Sequence, residues 1–366
     1  MNRPEYDCIV VGGGLIGMLT ARQLKLDGYS VLIIDQSTLG SESSWAGGGI
    51  LSPLYPWRYA DAISDLAVWG QQHYQQLAQD LARESGIDPQ WLQSGLLILD
   101  SDEQQQAQDW ARRYQVDMQV LDSAEIKQLE GGLGNAAKTA LWMPQVAQLR
   151  NPRLVKACRE SLLHLKVDII EQREVIDILQ EDQHVTGIRS KDGVIKAKRV
   201  IVNAGAWTAK LLEKADINVD VEPVRGQMLV FKAKPGILKH IVLVDGYYLI
   251  PRKDGRVLIG STIEYVGFDK TTTSQAREHL YAKAVQLLPA LADYEVEKHW
   301  SGLRPGSANG IPYIGTDPGL HGLYFNAGHF RNGVVLGLAS VQICCDMIAG
   351  RTPIIDPAPF ALGAKH

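Results

Sequence analysis

The stretch "DCIVVGGGLIGMLTARQLKLDGYSVLIID", residues 7–35, decides the fold of this chain. The apolar run Tyr6–Val11 is typical of a parallel strand that is buried on both faces. Leucines at approximately helical spacing then predict a helix that ends at Gly28, and residues 30–35 predict a second buried strand. The stretch therefore predicts a complete βαβ unit at the start of an α/β fold.

Three glycines in the turn between strand and helix fit a dinucleotide-binding unit. Gly12 makes the tight turn, Gly14 lets the backbone approach a pyrophosphate, and Gly17 lets the helix pack closely on the strand. The helix N-terminus supplies N–H groups and partial positive charge, and Asp35 is placed to accept hydrogen bonds from the adenosine ribose. A glycine-rich turn in another α/β fold is the alternative. The motif does not choose between a nicotinamide and a flavin, because both carry the same ADP half.

The composition of the chain limits the classes of function that it can have. The chain has 366 residues, of which 45% are hydrophobic, so it can bury a large core and we expect two domains. Its 37 basic and 41 acidic side chains give a net charge of -4, which provides no field to attract nucleic acid or anionic lipid. We therefore expect no nucleic-acid partner.

The targeting and cysteine patterns favour a cytoplasmic protein. We find no signal-peptide pattern before the first strand, and the longest apolar stretch, residues 334–345, is interrupted by polar residues and too short for a membrane anchor. The four cysteines form no C-x-x-C pair, which argues against a disulfide framework and a metal site. The expected compartment is a reducing cytoplasm.

The rest of the chain adds two kinds of segment. Residues 167–171, 175–179, 185–190 and 194–197 predict a meander, after which a buried strand returns to the parallel sheet. The hairpin of residues 247–262 has a different character and predicts an antiparallel sheet. We therefore predict a mixed α/β chain, α+β overall, with a Rossmann-like domain and a discontinuous second domain. The first comprises residues 1–85, 145–220 and 318–366, and the second comprises residues 86–144 and 221–317.

Six motifs together resemble the FAD-dependent amine oxidases of the D-amino-acid oxidase superfamily, over nearly the whole chain. They are "VVGGGLIG" (residues 10–17), "SSWAGGG" (43–49), "VNAGAW" (202–207), "EPVRGQ" (222–227), "GLRPGSANGIPYIG" (302–315) and "AGHFRNG" (327–333). The resemblance is closest to the glycine-oxidising members, which are linked to thiamin biosynthesis.

The resemblance implies FAD as the cofactor, and the first domain as its binding domain. Monomeric sarcosine oxidases attach their flavin to a cysteine in the segment that corresponds to residues 300–315, where this chain has none, so we expect noncovalent FAD. Backbone N–H groups of the turn at residues 329–333 are implied to face the flavin pyrimidine edge, and the backbone of Val175 to meet the adenine. The full set of implied cofactor contacts is Gly12, Gly14, Leu15, Ile16, Gly17, Asp35, Gln36, Ser43, Ser44, Gly47, Gly48, Gly49, Leu51, Val175, Gly205, Trp207, His329, Arg331, Asn332 and Gly333.

The resemblance also implies a substrate site on the second domain. It maps carboxylate-binding residues onto Tyr248 and Arg304, with Arg331 as a further contact. A guanidinium clamps a carboxylate through two parallel N–H bonds, and a tyrosine hydroxyl adds another donor. Tyr248 is also, with Leu51 and Ile263, a candidate to crowd the substituent on the substrate Cα. We interpret Arg225 as structural, at the junction between the domains.

The implied reaction is oxidation of glycine or a similarly small amine by hydride transfer from Cα to flavin N5, with no catalytic acid or base. Its products are glyoxylate, ammonia and hydrogen peroxide, so the expected partners are a small amino acid and dioxygen. Similar glycine-oxidising enzymes are tetramers, which implies a homo-oligomer. A sarcosine or D-amino-acid oxidase or dehydrogenase of the same fold, and a flavin-binding regulator without turnover, stay open as alternatives.

Overall fold

The computed structural model describes residues 5–134 and 137–364, which form two eight-stranded sheets, one two-stranded sheet and nine helices of the α type. The strands are β1 (Tyr6–Val11), β2 (Val31–Ile34), β3 (Leu92–Gln93), β4 (Leu96–Leu99), β5 (Gln119–Asp122), β6 (Thr139–Met143), β7 (Ala147–Gln148), β8 (Asp168–Ile170), β9 (Val175–Glu181), β10 (His184–Ser190), β11 (Gly193–Val202), β12 (Val221–Phe231), β13 (Ile241–Val244), β14 (Tyr247–Pro251), β15 (Val257–Gly260), β16 (Val296–Ser307), β17 (Tyr313–Thr316) and β18 (Leu323–Ala327). The helices are α1 (Leu15–Leu26), α2 (Ser43–Ala46), α3 (Asp61–Ser85), α4 (Gln104–Tyr114), α5 (Ser123–Leu129), α6 (Asn151–His164), α7 (Thr208–Leu212), α8 (Ser274–Leu287) and α9 (Gly333–Ala349).

The first sheet has a parallel centre in the order β18-β11-β1-β2-β8, with β17 antiparallel to β18 at one edge. Helices α1, α3, α6 and α9 cover one face, and β9, β10 and α7 cover the other. Because both faces are covered, the central strands are apolar throughout, as the sequence of β1 indicates. The predicted βαβ unit is confirmed, with β1 and α1 at the expected positions.

The predicted meander differs from the structure at both of its ends. Strand β8 lies beside β2 in the parallel sheet and takes no part in the meander. Residues 194–197 and the returning strand are a single strand, β11, whose first half pairs with β10 and whose second half pairs with β1 and β18. One long strand thus joins the meander to the parallel sheet.

The second sheet has the order β16-β12-β15-β14-β13-β4-β6-β5, and all its neighbours are antiparallel except β13 and β4. Helices α5 and α8 pack on one face. Its strands come from residues 96–143 and 221–307, within the two segments predicted from the sequence for the second domain. Strand β17 lies within the region assigned to that domain, yet it pairs with β18 in the first sheet.

Helix α9 is the longest apolar segment of the described chain. With the 3-10 turn before it, it spans Phe330–Ala349, long and apolar enough by length and composition to cross a membrane. The expectation that this stretch is too short was therefore wrong. Of its most apolar window, 67% is buried inside the protein, where α9 packs against α1 and α3 in the core under the first sheet.

The four cysteines are free and buried. Burial raises the pKa of the Cys8, Cys158 and Cys344 thiols to about 12, and raises the pKa of Cys345 well above its ordinary value. Among the described residues, no three His, Cys, Asp or Glu side chains are grouped as a metal site would require.

Candidate active site

A long cleft runs past the carboxyl ends of β1, β2 and β11 and continues between the two sheets. It consists of two connected cavities with about 810 and 1090 Å³ of open space, part of which faces solvent. Both cavities are lined by Gly14, Ser43, Ser44, Asn203 and Gly205, so they are two parts of one cleft. The carboxyl edge of a parallel sheet is where α/β proteins bind ligands.

The glycine turn forms the floor of this cleft, and its glycines let neighbouring backbone segments approach closely. Gly12 has φ +106°, and its N–H donates to the carbonyl of Ile34 at 2.8 Å. A Cβ on Gly17 would lie 1.8 Å from the carbonyl oxygen of Gly12. Gly17 therefore acts through helix–strand packing and does not line either cavity, whereas Gly12 and Gly14 do.

The first cavity contains the residues that were predicted for the adenosine end of a dinucleotide. Asp35, Gln36 and Val175 line it, as predicted. The carboxylate of Asp35 accepts hydrogen bonds from the N–H groups of Gly13 and Ser37, and each of its oxygens keeps a further lone pair for a ligand. Burial raises the pKa of Asp35, and those two N–H donors oppose the shift.

Several residues of the first cavity sit on connecting segments. Trp207, predicted as a contact, and Gly205 lie in a 3-10 turn after β11. Sequence reasoning missed three cationic residues of the same wall, because no motif marks them: Arg173, Lys210 and Lys214. They place positive charge next to a cavity that would hold phosphate groups.

The short helix α2 joins the two cavities. Ser43 and Ser44 line both, and Ser44 Oγ accepts a hydrogen bond from the N–H of Leu15 at 2.8 Å, in the first turn of α1. Leu15 and Ile16 line the second cavity, as predicted. The serine hydroxyl thus holds α2 against the helix N-terminus that faces the cleft.

The glycine run at residues 47–49 lines the second cavity. A Cβ on Gly49, which has φ +78°, would lie 2.0 Å from the carbonyl of Leu149. Arg252 fixes the run from behind, because its Nη2 donates to the Gly48 carbonyl at 2.7 Å and its Nη1 donates to the Leu149 carbonyl at 3.0 Å. Arg252 is 8% exposed, and burial lowers its pKa to about 9. No sequence signal marked it.

Leu51 is a predicted cofactor contact that the structure places elsewhere. It is 1% exposed, its N–H donates to the carbonyl of Ala147, and its side chain packs in the core beneath the first sheet. The neighbouring Ile50 and Leu54 line the second cavity instead. Ile263 is 44% exposed and is absent from the cavity wall, so it does not crowd a substrate there.

The turn at residues 329–333 forms the far wall of the second cavity, immediately before α9. His329, Arg331, Asn332 and Gly333 all line it, as predicted. The first-turn N–H groups of α9 and the positive end of the helix are therefore available to a ligand. His329 is buried, its Nε2 lies 2.9 Å from Ser340 Oγ, and burial lowers its pKa to about 3, so its imidazole is neutral.

Unpaired polar groups in the cleft fit a bound polar ligand. Within the described residues, Asn203 Oδ1, Asn332 Nδ2 and both amide atoms of Asn326 are buried without a hydrogen-bond partner, and all three side chains belong to residues of the second cavity. Buried amide groups normally have a partner, since an unsatisfied one costs about 1–3 kcal/mol. A flavin ring system, with its carbonyl oxygens and ring nitrogens, offers the partners that these amides lack.

The second sheet presents the predicted substrate residues to the same cavity. Tyr248 lies on β14, and Arg304 lies on β16. The guanidinium of Arg304 donates to Ser261 Oγ at 2.6 Å and to the Thr262 carbonyl at 3.1 Å. Burial lowers the pKa of Arg304, and the nearby charge of Arg331 adds to the lowering while Tyr248 opposes it.

No carboxylate of the described chain forms an ion pair with Arg304 or Arg331, unlike most of its arginines. Two guanidinium groups therefore line one cavity without a protein counterion, an arrangement that suits an anionic ligand. The interpretation of Arg225 as a domain junction was wrong, because it pairs with Glu264 and Asp269, both in the second region of the chain.

The glycine turn, the two-part cleft and the helix-terminated flavin-sized cavity define a dinucleotide-dependent oxidoreductase. The family model for FAD dependent oxidoreductases (DAO) matches residues 7–347, and the chain belongs to this family. Its cofactor is FAD. The predicted fold class and superfamily are therefore confirmed.

Among its relatives, the chain is similar to the glycine oxidase of Pseudomonas putida, with 48% identity over 96% of this chain and 97% of the relative. The glycine oxidase of Pseudomonas aeruginosa is 47% identical over the same shares. The solved structure of glycine oxidase from Geobacillus kaustophilus superposes with a TM-score of 0.93, with 28% identity over 100% of both chains.

Proposed function

We propose that this protein is a glycine oxidase, which converts glycine, dioxygen and water into glyoxylate, ammonia and hydrogen peroxide. The observation that carries the proposal is the half-buried guanidinium of Arg304, which lines the cleft next to Tyr248 and has no carboxylate partner in the described chain. An anion site of this size beside a flavin cavity suits a small amino acid. Sarcosine and small D-amino acids are weaker candidate substrates.

The chain's own residues bind and orient the substrate. Arg304 takes the carboxylate through paired N–H bonds, Tyr248 adds a hydroxyl donor, and Arg331 adds a second positive charge. Fixing the carboxylate limits the orientations that the substrate Cα can take in the cavity. No acid or base is required of the protein if the amine binds in its neutral form.

FAD, when bound, would supply the hydride acceptor for the substrate Cα and the means of passing electrons to dioxygen. The residues that would hold it are those of the cleft: the turn at Gly12 and Gly14 with Asp35 for the ADP half, and the glycine run and the turn before α9 for the ring system. The positive end of α9 favours negative charge at the pyrimidine edge. The division into an FAD-binding and a substrate-binding domain, along the two sheets, is part of this proposal.

A peroxide-coupled assay of the purified yellow protein tests the substrate. Glycine, sarcosine, D-alanine and D-proline are compared at equal concentrations, and we expect glycine to give the highest kcat/KM. A preference for D-proline or D-alanine would assign the protein to the D-amino-acid oxidases. A yellow protein that makes no peroxide with any of them would favour a flavin-binding regulator.

Three finer proposals accompany this function. We infer a cytoplasmic homotetramer, from the resemblance to tetrameric glycine oxidases, and light scattering of the purified protein tests its mass. We also infer that the product serves thiamin biosynthesis. Growth of a strain without this gene, with and without added thiamin, tests that role.

A further inference from the structure

The tripeptide Arg225-Gly226-Gln227 of strand β12 lies directly beneath Arg304. Successive side chains of a strand point to opposite faces of the sheet. Arg304 pairs with Val224 across β12 and β16, so the position of Gly226 shares the cleft face with Arg304. The side chains of Arg225 and Gln227 therefore lie on the reverse face of the sheet.

Gly226 is in contact with the guanidinium itself. A Cβ at this position would fall 2.1 Å from Nη1, 2.3 Å from Nη2 and 2.4 Å from Cζ of Arg304. The φ of Gly226 is outside the left-handed region, so the backbone conformation alone would accept alanine. The need for glycine here comes from the guanidinium and not from the backbone.

The two acceptors of the Arg304 guanidinium lie on a segment that hydrogen bonds from β12 hold in place. Ser261 Oγ and the Thr262 carbonyl accept from Arg304, and the segment that carries them is fixed from the reverse face. Gln227 N donates to Thr262 Oγ1 at 2.9 Å, and Gln227 Nε2 donates to the carboxylate of Glu264 at 2.8 Å.

Arg225 completes this arrangement. Its Nε donates to Glu264 Oε2 at 3.0 Å, and the backbones of the two residues exchange two hydrogen bonds at 2.9 Å. Arg225 and Gln227 are 4% and 0% exposed. A guanidinium pushed off Gly226 would therefore leave both of its acceptors behind.

We propose that Gly226 is a positioning residue that seats the Arg304 guanidinium for the substrate carboxylate. This inference rests on the proposed function, because it assumes that Arg304 binds the carboxylate. It assigns the glycine of the "EPVRGQ" motif to substrate recognition, although Gly226 donates nothing to the substrate.

Gly226→Ala tests the proposal in the FAD-loaded enzyme. We expect the KM for glycine to rise about 10- to 100-fold, as when a hydrogen bond to a charged group is lost. The Kd of acetate, which carries the carboxylate of glycine without the amine, should rise to the same extent in a titration followed by the flavin visible spectrum. Thermal unfolding should show a modest decrease in Tm, because Ser261 Oγ and the Thr262 carbonyl lose their donor, but the variant should fold, since the displaced atoms are the end of a flexible side chain.

Two further variants separate positioning from a general structural effect. In Gly315→Ala on β17, the new Cβ lies 3.7 Å from the Phe325 ring, an ordinary contact, so both constants should stay at the wild-type values. In an Arg304→Lys background, the guanidinium atoms that a Cβ at position 226 would contact are absent. Adding Gly226→Ala there should change acetate binding less than twofold, because the coupling between the two sites is removed.

The outcomes distinguish the inference from the proposed function. Wild-type enzyme that neither oxidises glycine nor binds acetate would overturn both. Wild-type enzyme that oxidises glycine, with Gly226→Ala equal to it in KM and acetate Kd, would overturn the inference alone. An equal loss of acetate binding from Gly226→Ala in both the Arg304 and the Lys backgrounds would also overturn it, because that result shows a structural role.

Discussion

The ring of Tyr248 covers the α-carbon of Gly260, its partner across strands β14 and β15. A Cβ on this glycine would lie 2.6 Å from three atoms of the ring, including the hydroxyl oxygen. The ring also lies close to Gly48, where a Cβ would lie 3.3 Å from Tyr248 Cε2. Two glycines thus leave room for the ring, which lines the second cavity.

Tyr248→Phe is therefore a clean test of the hydroxyl group. The ring keeps its place between the two glycines, so only one donor to the carboxylate is lost, and we expect the KM for glycine to rise roughly 10-fold. Steady-state peroxide assays measure it. Tyr281→Phe, on the opposite face of the second sheet, is the matched control and should not change KM. An unchanged KM in Tyr248→Phe would remove this hydroxyl from the substrate site.

Arg304→Ala removes the charged partner of the substrate carboxylate. We expect kcat/KM for glycine to fall by about 100-fold or more, because a charge-assisted pair of hydrogen bonds is lost. The same peroxide assay measures the loss. Arg83→Ala serves as the control, since the Arg83 side chain is 72% exposed and pairs only with Asp80 on the surface of α3. Glycine kinetics equal to wild type in Arg304→Ala would place the substrate elsewhere.

Arg252→Met tests the support of the glycine run from behind. The substitution leaves three buried acceptors, Gln148 Oε1 and the carbonyls of Leu149 and Gly48, without their donor. We expect the free energy of unfolding to fall by roughly 3 kcal/mol and the FAD affinity to weaken. Chemical denaturation and flavin fluorescence measure the two effects.

The control for Arg252 is a half-buried neighbour on the same hairpin. Arg256 pairs with Glu297 and Asp254 at the surface, so Arg256→Met should cost less than about 1 kcal/mol. Equal stability losses in the two variants would show that the buried guanidinium of Arg252 does not stabilise the glycine run.

His329 predicts a specific loss of stability in acid. Its pKa is lowered from 6.5 to about 3 in the folded protein by burial, so the unfolded state binds more protons between these values. Stability from this group is full above pH 6.5 and is lost as the pH falls toward 3, at up to about 1.4 kcal/mol per pH unit.

Denaturant titrations from pH 7 to 4 measure this slope. We expect His329→Asn to lose stability less steeply than wild type, because asparagine does not titrate in this range. His164→Asn, at the exposed end of α6, should follow the wild-type slope. Identical slopes for wild type and His329→Asn would contradict the assignment of a buried neutral imidazole.

Gly17→Ala probes the packing beneath the nucleotide turn. A Cβ would lie 1.8 Å from the carbonyl oxygen of Gly12, and because that atom belongs to the backbone, α1 must shift away from β1. We expect a loss of about 1–3 kcal/mol in stability and weaker FAD binding. Titration of the apoprotein with FAD measures the affinity. Wild-type affinity in this variant would show that the helix position does not set cofactor binding.

Sequence patterns predicted the strands and helices whose pattern lies within a single element. The continuous apolar run of β1 and the leucine spacing of α1 each lie inside one element, and each element appears where expected. Strand β16 was missed because its twelve residues include a proline and two glycines and alternate poorly. Its pairing with β12 along nearly its whole length depends on a distant segment.

The candidate site divides in the same way. Glycines and motif arginines could be placed from their motifs, and all of the predicted residues line the cleft except Gly17, Leu51 and Ile263. Leu51 turns into the core because its N–H pairs with β7, a contact that no local pattern reveals. Arg252 was missed for a related reason, since its partners are backbone carbonyls and an amide from other parts of the chain.

The burial of the four cysteines has a consequence for an enzyme that releases an oxidant. Peroxide attacks the thiolate form of cysteine, and oxidation follows solvent access and low pKa. With thiols raised to about pKa 12 and enclosed in the core, Cys8, Cys158 and Cys344 carry almost no thiolate at neutral pH. Under the proposed function, peroxide formed in the cleft would therefore meet these three thiols buried and protonated, which protects them from oxidation to sulfenic acid.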